Sequence, residues 1–207
     1  MEADANMLHK ILFLHGFFAS GACIPAKTLK EYFHNKAHVF TPDLPLSPYE
    51  ALSFIQQICK QEQPDLLVGN SNGSFLAQII ATKNRIPALL GNPYFEMTKF
   101  LTERIGSHEY KSPRANGNQQ LNISQELIDE FAEIQLHQWD YCQPDNQEYI
   151  WGIFGENDKL AHYEPLFLKY YRHSYHFPGA HTPTAKEVLQ YYVPLINKLL
   201  HTYSQVS

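Results

Sequence analysis

A serine between two glycines is the feature of this sequence most suited to carry chemistry. Gly69 to Gly73 match the pattern G-x-S-x-G and directly follow the apolar run Asp65–Val68. In this pattern the central residue, here Ser71, lies on a sharp turn from a strand into a helix, so that its hydroxyl stands clear of the backbone. The glycines are needed because side chains at these two positions would collide across so tight a turn. The pattern therefore predicts that Ser71 is a nucleophile.

Short apolar segments alternate with helical patterns along the chain. We predict strands at Ile11–Leu14, Ala37–Phe40, Leu66–Val68, Pro87–Leu90, Glu148–Gly155 and Ser174–Phe177. The spacing of apolar residues predicts helices over Pro48–Gln61 and Ser74–Ala81. A last helix is expected to be capped by Thr182 and kinked by Pro194. This alternation predicts an α/β protein, a three-layer sandwich with a mostly parallel central sheet.

One polar region, at about residues 94–147, interrupts the alternation. Within it, Ser107–Gln120 is rich in Asn, Gly and Gln and is predicted to be a mobile loop. An amphipathic helix is predicted over Ser124–Trp139. We interpret the region as a cap-like insertion in a single domain that spans residues 1–207. Whether the loop at 107–120 acts as a lid is left open.

Composition limits the partners of the protein. The net charge of −5, with no cluster of Lys and Arg, argues against nucleic acid as a ligand. The three cysteines, Cys23, Cys59 and Cys142, form no C-x-x-C pair and no recognisable metal-ligand spacing, and they fit a reducing cytoplasm. No metal or organic cofactor is implied. The apolar run Lys10–Leu14 is too short to span a bilayer, and the acidic N-terminus is unlike a signal peptide. We therefore expect a cytoplasmic protein with no membrane span; no pattern predicts its oligomeric state.

Four predicted strand ends carry residues that could react: His15–Phe17, Ser71, Asp158 and His181. Sites of open α/β sheets form beyond the carboxyl ends of the strands, which places these residues at one edge. Glu156 competes with Asp158 for the role of the acid. Among the eleven histidines, His181 is the one placed after the last strand behind a glycine. The order Ser, Asp, His along the chain is that of the triad in α/β hydrolases.

With these residues in this order, the chain resembles the α/β-hydrolase superfamily over nearly its whole length. More narrowly, it resembles the small YqiA-type bacterial esterases. The shared features are Leu-His-Gly-Phe at 14–17, the single G-x-S-x-G, Asn92-Pro93, the short insertion, Asp158, and Gly-x-His at 179–181. The chain departs from the usual pattern at Asn72, where an apolar residue is common, and at Ser74, where glycine is common. These departures bear on substrate preference more than on the chemistry.

The resemblance implies a serine hydrolase that cleaves carboxylic esters or thioesters, with acyl-CoA thioesters as a further substrate class. Ser71 would be the nucleophile, His181 its base, and Asp158 the residue that orients and stabilises the imidazole. The backbone amides of Phe17 and Asn72 would form the oxyanion hole. An acyl-enzyme intermediate follows from this arrangement.

Aromatic side chains near the predicted site are candidates for an acyl pocket. We expect Phe18, Tyr94 and Phe95 to line it, with ordinary core packing as the alternative. Because the insertion is small, we expect an exposed site for a small-molecule ester or thioester with a short or medium acyl chain. Two other functions fit the same residues: an amide or peptide hydrolase with the same triad, and a non-catalytic binding protein that keeps the fold. The role of the Asn72 side chain also stays open.

Overall fold

Six segments of the sequence form one central sheet in the computed structural model, which describes residues 8–203. The strands of this sheet are β1 (His9–Leu14), β2 (Ala37–Phe40), β3 (Leu66–Asn70), β4 (Ala88–Gly91), β7 (Ile150–Gly155) and β8 (His173–Phe177). Their spatial order is β2-β1-β3-β4-β7-β8, and every neighbouring pair is parallel. Parallel pairing brings the carboxyl ends of all six strands to the same edge of the sheet.

Helices cover both faces of the sheet, because successive strand side chains point to opposite faces and both sets are apolar. Leu12, Leu67 and Leu90 belong to the core cluster on one face, which also takes in helices α2 and α3. Ile11 and Val68 belong to the cluster on the other face, with α1 and α9. The helices are α1 (Ile24–Tyr32), α2 (Pro48–Glu62), α3 (Asn72–Asn84), α4 (Met97–Thr102), α5 (Gln125–Leu136), α6 (Asn146–Tyr149), α7 (Glu164–Phe167), α8 (Ala185–Glu187) and α9 (Val193–Tyr203). The predicted three-layer α/β fold is confirmed.

Several element boundaries differ from the prediction. β7 begins at Ile150 and not at Glu148, because the preceding four residues form the helical turn α6. The last helical segment is capped by Thr184 and not by Thr182: the Thr184 hydroxyl accepts a hydrogen bond from the amide of Glu187, whose side chain bonds back to the cap. The kink predicted at Pro194 stays a prediction; a π-helical turn over Val188–Tyr192 comes just before this proline, which cannot donate a backbone hydrogen bond.

The region between β4 and β7 contains α4, the strands β5 (Gly106–Glu109) and β6 (Gln120–Ile123), and α5. β5 and β6 pair antiparallel, so the prediction of a mobile loop was wrong for the two ends of Ser107–Gln120. Leu121 and Ile123 are buried in the core cluster of α3, which explains why β6 forms there. α5 begins where predicted, because the Ser124 hydroxyl accepts a hydrogen bond from the amide of Leu127.

None of the helices between residues 8 and 203 is long and apolar enough to cross a membrane.

Candidate active site

The carboxyl ends of β1, β3, β7 and β8 bring the sequence-predicted residues together at one edge of the sheet. Gly16 and Phe17 follow β1, and Ser71 follows β3. Asp158 lies on the loop after β7, and His181 lies on the loop after β8. The site is therefore built from segments far apart in sequence that parallel strand pairing makes neighbours.

Ser71 lies on a strained turn between β3 and α3. Its backbone has a positive φ of 55° with ψ of −119°, a conformation that non-glycine residues rarely adopt. A Cβ atom on Gly69 would lie 2.6 Å from the backbone of Gly73. A Cβ atom on Gly73 would overlap the carbonyl oxygen of Leu14 in β1. Both glycines of the motif are thus required by close backbone approach, and they allow the helix to start directly after the strand.

The side chains of Ser71, His181 and Asp158 form a continuous hydrogen-bonded chain. The Oγ atom of Ser71 lies 2.8 Å from Nε2 of His181, and Nδ1 of His181 lies 2.7 Å from Oδ2 of Asp158. When Nδ1 carries the proton and donates it to the carboxylate, Nε2 is left to accept the hydroxyl proton of Ser71. In this arrangement the imidazole can act as a base toward the serine.

Asp158 is held in place by the loop that carries it. Its second oxygen, Oδ1, accepts hydrogen bonds from the amides of Leu160 and Ala161, at 2.7 and 3.1 Å. Burial raises the pKa of this carboxyl, but the hydrogen bonds from His181 and from the two amides outweigh burial and hold the pKa below its usual range. Asp158 is therefore ionised at neutral pH. The competing acid, Glu156, is exposed, and the carboxylate that contacts His181 is that of Asp158.

Asn92, which follows β4, connects the two loops that carry Asp158 and His181. Its Nδ2 donates to the carbonyl oxygens of Ala180 and His181, at 3.0 and 2.9 Å. Its Oδ1 accepts from the amide of Gly155 at 2.7 Å. The side chain is buried, and both of its N–H donors and one of its two acceptor sites are paired with backbone groups. The sequence singled out Asn92 as part of a shared motif but did not predict this bridging position.

Two backbone amides near Ser71 are free to bind an oxyanion. Within residues 8–203, the amides of Phe17 and Asn72 have no hydrogen-bond acceptor. Asn72 is the first residue of α3, where helix geometry leaves the N–H groups of the first turn unpaired. Gly16, next to Phe17, packs against the serine: a Cβ atom there would lie 3.5 Å from Cβ of Ser71.

His15 orders the loop that carries Phe17. Its Nε2 accepts a hydrogen bond from the amide of Leu44 at 2.9 Å, and Nδ1 lies 2.8 Å from the carbonyl oxygen of Gly16. Because Nε2 is the acceptor, Nδ1 carries the proton. Burial lowers the pKa of His15 to about 4, so the ring is neutral at pH 7. His15 therefore joins the loop after β1 to the loop after β2 through these hydrogen bonds.

A cavity of about 560 Å³ opens beside Ser71 and His181. Phe18 lines it, as do two residues that the sequence did not single out, Phe100 of α4 and Leu160 of the Asp158 loop. The structure does not bring Tyr94 and Phe95 to this cavity. Both side chains are buried. Tyr94 packs against Phe100 and Tyr163, and Phe95 packs against Trp139.

Comparison with known proteins places the chain in a family. Residues 10–177 match the family described as Uncharacterised protein family (UPF0227). The chain belongs to this family. Its fold is that of α/β hydrolases, as similar structures show. Est1E from Butyrivibrio proteoclasticus is 13% identical with a TM-score of 0.69, and 96% of this chain and 90% of that chain are covered. The Paleococcus ferrophilus monoacylglycerol lipase is also 13% identical, with a TM-score of 0.68 and coverage of 94% and 96%.

A third similar structure is the esterase domain of a Rhodothermus marinus protein, which is 14% identical with a TM-score of 0.69 and coverage of 98% and 90%. Together with the family match, these similarities confirm the resemblance drawn from the sequence motifs. The UPF0227 protein is an α/β-hydrolase-fold protein similar to the YqiA-type bacterial esterases.

No group of three or more potential metal ligands of the His, Cys, Asp and Glu type occurs in the part of the UPF0227 chain that the structure describes. The three cysteines there are free thiols, and burial raises the pKa of each of them. A raised pKa keeps a thiol protonated and unreactive at neutral pH. The hydroxyl of Ser71, by contrast, lies 2.8 Å from an imidazole nitrogen.

Proposed function

We propose that this UPF0227 protein is a serine hydrolase that cleaves carboxylic esters or thioesters through an acyl-enzyme. The observation that carries the proposal is the hydrogen-bonded chain from Ser71 through His181 to Asp158, with Ser71 on a strained turn at the mouth of a cavity. A serine hydroxyl is a weak nucleophile unless an adjacent base removes its proton as it attacks. This geometry supplies such a base at 2.8 Å.

The reaction begins when Oγ of Ser71 attacks the carbonyl carbon and Nε2 of His181 takes the hydroxyl proton. Asp158 stabilises the resulting imidazolium through its hydrogen bond to Nδ1. The tetrahedral intermediate then collapses: the bond from carbon to the leaving oxygen or sulfur breaks, and His181 returns the proton to the leaving group. Water then attacks the acyl carbon while His181 takes its proton. The bond from the acyl carbon to Oγ of Ser71 breaks, His181 returns the proton to Oγ, and the acid is released.

The amides of Phe17 and Asn72 are proposed to bind the negative oxygen of the tetrahedral intermediate. Each amide is unpaired in the described part of the chain, and Phe17 is positioned by the loop that His15 orders. Losing one such donor raises the activation barrier by about 3 kcal/mol in comparable enzymes. Every substitution except proline keeps the backbone N–H, so the proposed role of these amides rests on their unpaired state.

The substrate is proposed to be a small molecule with a short or medium acyl chain. The cavity of about 560 Å³ lies in the range of small-ligand sites, which span roughly 300–1,000 Å³. Among the similar structures, one is described as Est1E with bound ferulic acid and another as a monoacylglycerol lipase, and both names concern carboxylic esters or acids. A series of 4-nitrophenyl esters from acetate to palmitate tests the chain length. A kcat/KM that still rises at palmitate would contradict the proposal.

The nucleophile is tested by intact-mass spectrometry after treatment with a fluorophosphonate. Wild-type protein should gain a single adduct, and Ser71→Ala should gain none. Ser53→Ala is the matched control, because Ser53 is exposed on α2 and should leave labelling unchanged. Absence of an adduct on folded wild-type protein would favour the non-catalytic binding protein. Matched ester and amide substrates then separate an esterase from an amide hydrolase.

A further inference from the structure

The cavity beside Ser71 has a charge opposite to that of the whole protein. The chain carries a formal net charge of −5. Yet three cationic side chains line the cavity, those of Lys27 on α1, Arg104 after α4, and Lys111 on the loop between β5 and β6. No Asp or Glu is among the described residues that line it. A concave, partly apolar wall concentrates the field of such charges and attracts ligands of opposite sign.

The lysines are not neutralised by the protein. Within residues 8–203, neither Lys27 nor Lys111 has a carboxylate within 4.0 Å. Arg104 is 3.2 Å from an oxygen of Glu103 and donates to the carbonyl oxygen of Phe100 at 2.7 Å, so its charge is partly compensated. Two lysines that line the cavity therefore have no carboxylate counterion from the described chain.

A buried amide at the cavity adds a second feature that points to a polar ligand. Asn70, which precedes the serine, lines the cavity and is only 6% exposed. Its side-chain oxygen has no hydrogen-bond partner among the described residues. Buried polar atoms in folded proteins are nearly always paired, and a hydroxyl or N–H group of a ligand would pair this acceptor.

We propose that the preferred substrate is an ester that carries an anionic group, a carboxylate or a phosphate, in the part that occupies this cavity. The inference rests on the proposed hydrolase function and specifies its substrate class. Lys27 and Lys111 attract the anion, whereas the side-chain oxygen of Asn70 can only accept and therefore binds a hydrogen-bond donor elsewhere in the substrate. A compact cavity of this volume is about 10 Å across. The distance between a lysine and a bound anion is then no larger than the Debye length of about 10 Å at 0.1 M salt, so salt screens their attraction only in part.

The test compares esters that differ in charge and little in shape. On the leaving-group side, 4-carboxyphenyl butyrate is compared with its neutral amide analogue, 4-carbamoylphenyl butyrate. On the acyl side, mono-4-nitrophenyl glutarate is compared with 4-nitrophenyl pentanoate. We expect kcat/KM to be about 3- to 10-fold higher for the anionic member of at least one pair, and the ratio to fall toward one in 0.5 M NaCl. The pair that shows the preference identifies which side of the ester carries the anion.

Variants then assign the preference to the lysines. Lys27→Gln and Lys111→Gln, alone and together, should reduce the ratio of anionic to neutral kcat/KM to near one. The matched control is Lys30→Gln, an exposed lysine on the same helix as Lys27 that does not line the cavity, which should leave the ratio unchanged. Arg104 is kept, because it holds the carbonyl oxygen of Phe100.

The outcomes separate this inference from the function on which it rests. Neutral esters that are hydrolysed as fast as anionic ones, or a preference that survives the double lysine variant, would overturn the anion inference and leave the hydrolase intact. No hydrolysis of any ester, together with no fluorophosphonate adduct, would overturn both.

Discussion

Replacement of Asn92 by Asp is the most direct test of how the site is assembled. The two side chains have nearly the same shape, so the exchange alters hydrogen bonding more than packing. The aspartate can still accept from the amide of Gly155. It loses the two N–H donors, and it turns a carboxylate oxygen toward the carbonyl oxygens of Ala180 and His181, which can only accept.

The magnitude follows from these contacts. Removing the donor of a hydrogen bond and leaving a buried acceptor unpaired costs about 1–3 kcal/mol. Because two acceptors lose their donor, we expect Asn92→Asp to lower the free energy of unfolding by about 2–6 kcal/mol, measured by urea denaturation. Because the lost bonds hold the backbone of His181, the imidazole should also move relative to Ser71. A displacement of about 1 Å in a catalytic group can reduce the rate about 100-fold, so we expect kcat to fall 10- to 100-fold with a smaller change in KM.

A second buried asparagine provides the control. Asn146 is 2% exposed, and it accepts from the amide of Gln143 and donates to the hydroxyl of Tyr149. In Asn146→Asp the tyrosine hydroxyl can rotate and become the donor, so stability should fall by only about 1–2 kcal/mol and kcat should not change.

Should Asn92→Asp fail to fold, Asn92→Gly tests the same bonds. Glycine tolerates the positive φ of 40° at this position and introduces no charge. A folded variant of Asn92 with kcat within twofold of wild type, and with an unchanged rate of fluorophosphonate labelling, would refute the reasoning that this side chain positions His181.

Three further outcomes are expected. Burial lowers the pKa of His15 from 6.5 to about 4, so on acidification the imidazole is protonated in the unfolded chain before it is protonated in the folded protein. The free energy of unfolding is therefore highest above pH 6.5 and falls by about 3 kcal/mol as the pH drops to about 4. Urea unfolding should show this slope, and His15→Gln should flatten it; equal slopes would contradict the assignment. Gly73→Ala should abolish soluble folded protein through overlap with Leu14, whereas Gly117→Ala, in open space with φ of 76°, should lose only about 1–2 kcal/mol by thermal unfolding. Asp158→Asn should lower kcat about 10³- to 10⁴-fold in an ester assay, and an unchanged kcat would remove Asp158 from the proposed triad.

The sequence predicted the parts of the fold that depend on local pattern. Most strands of the central sheet are largely apolar runs, so their existence and approximate position follow from the sequence pattern. In the edge strand β8 polar residues alternate with Tyr175 and Phe177. α3 was also predicted from its apolar residues, and nearly all of its side chains are buried. By contrast, α1 was not predicted, because Cys23 at its start provides no side-chain cap. α4 has six residues, too few to show a helical period.

The candidate site shows the same division. Ser71, Asp158 and His181 each follow a strand, so parallel pairing brings them to the same edge of the sheet, and this placement could be predicted without knowing the loop conformations. The aromatic residues that line the cavity could not be predicted in this way. Tyr94 and Phe95 stand close to a strand end in the sequence, yet their rings turn into the core, where Tyr163 and Trp139 supply aromatic partners. Side-chain direction in an insertion depends on contacts with distant segments, and no local pattern encodes those.

The loop between β5 and β6 is tied to the loop that carries the amide of Phe17. The amide of Lys111 donates to the carbonyl oxygen of Phe18 at 2.7 Å, and the hydroxyl of Ser20 donates to the carbonyl oxygen of Pro113 at 2.7 Å. Asp43 adds a further connection, because its two oxygens accept from the amide of Gly21 in the first loop and from the amide of residue 115 in the second, each at 2.8 Å.

An independent lid movement of this segment would break the three hydrogen bonds that Lys111, Pro113 and residue 115 make, and would leave only the bond between Gly21 and Asp43. Each is worth about 1 kcal/mol, so the open state would be only sparsely populated. Any ligand that shifts the β5–β6 loop through Lys111 must therefore also act on the loop that carries Phe17. Binding of an anion at the cavity and alignment of the proposed oxyanion hole are coupled through these contacts, and the charged part of a substrate can in this way contribute to kcat as well as to KM.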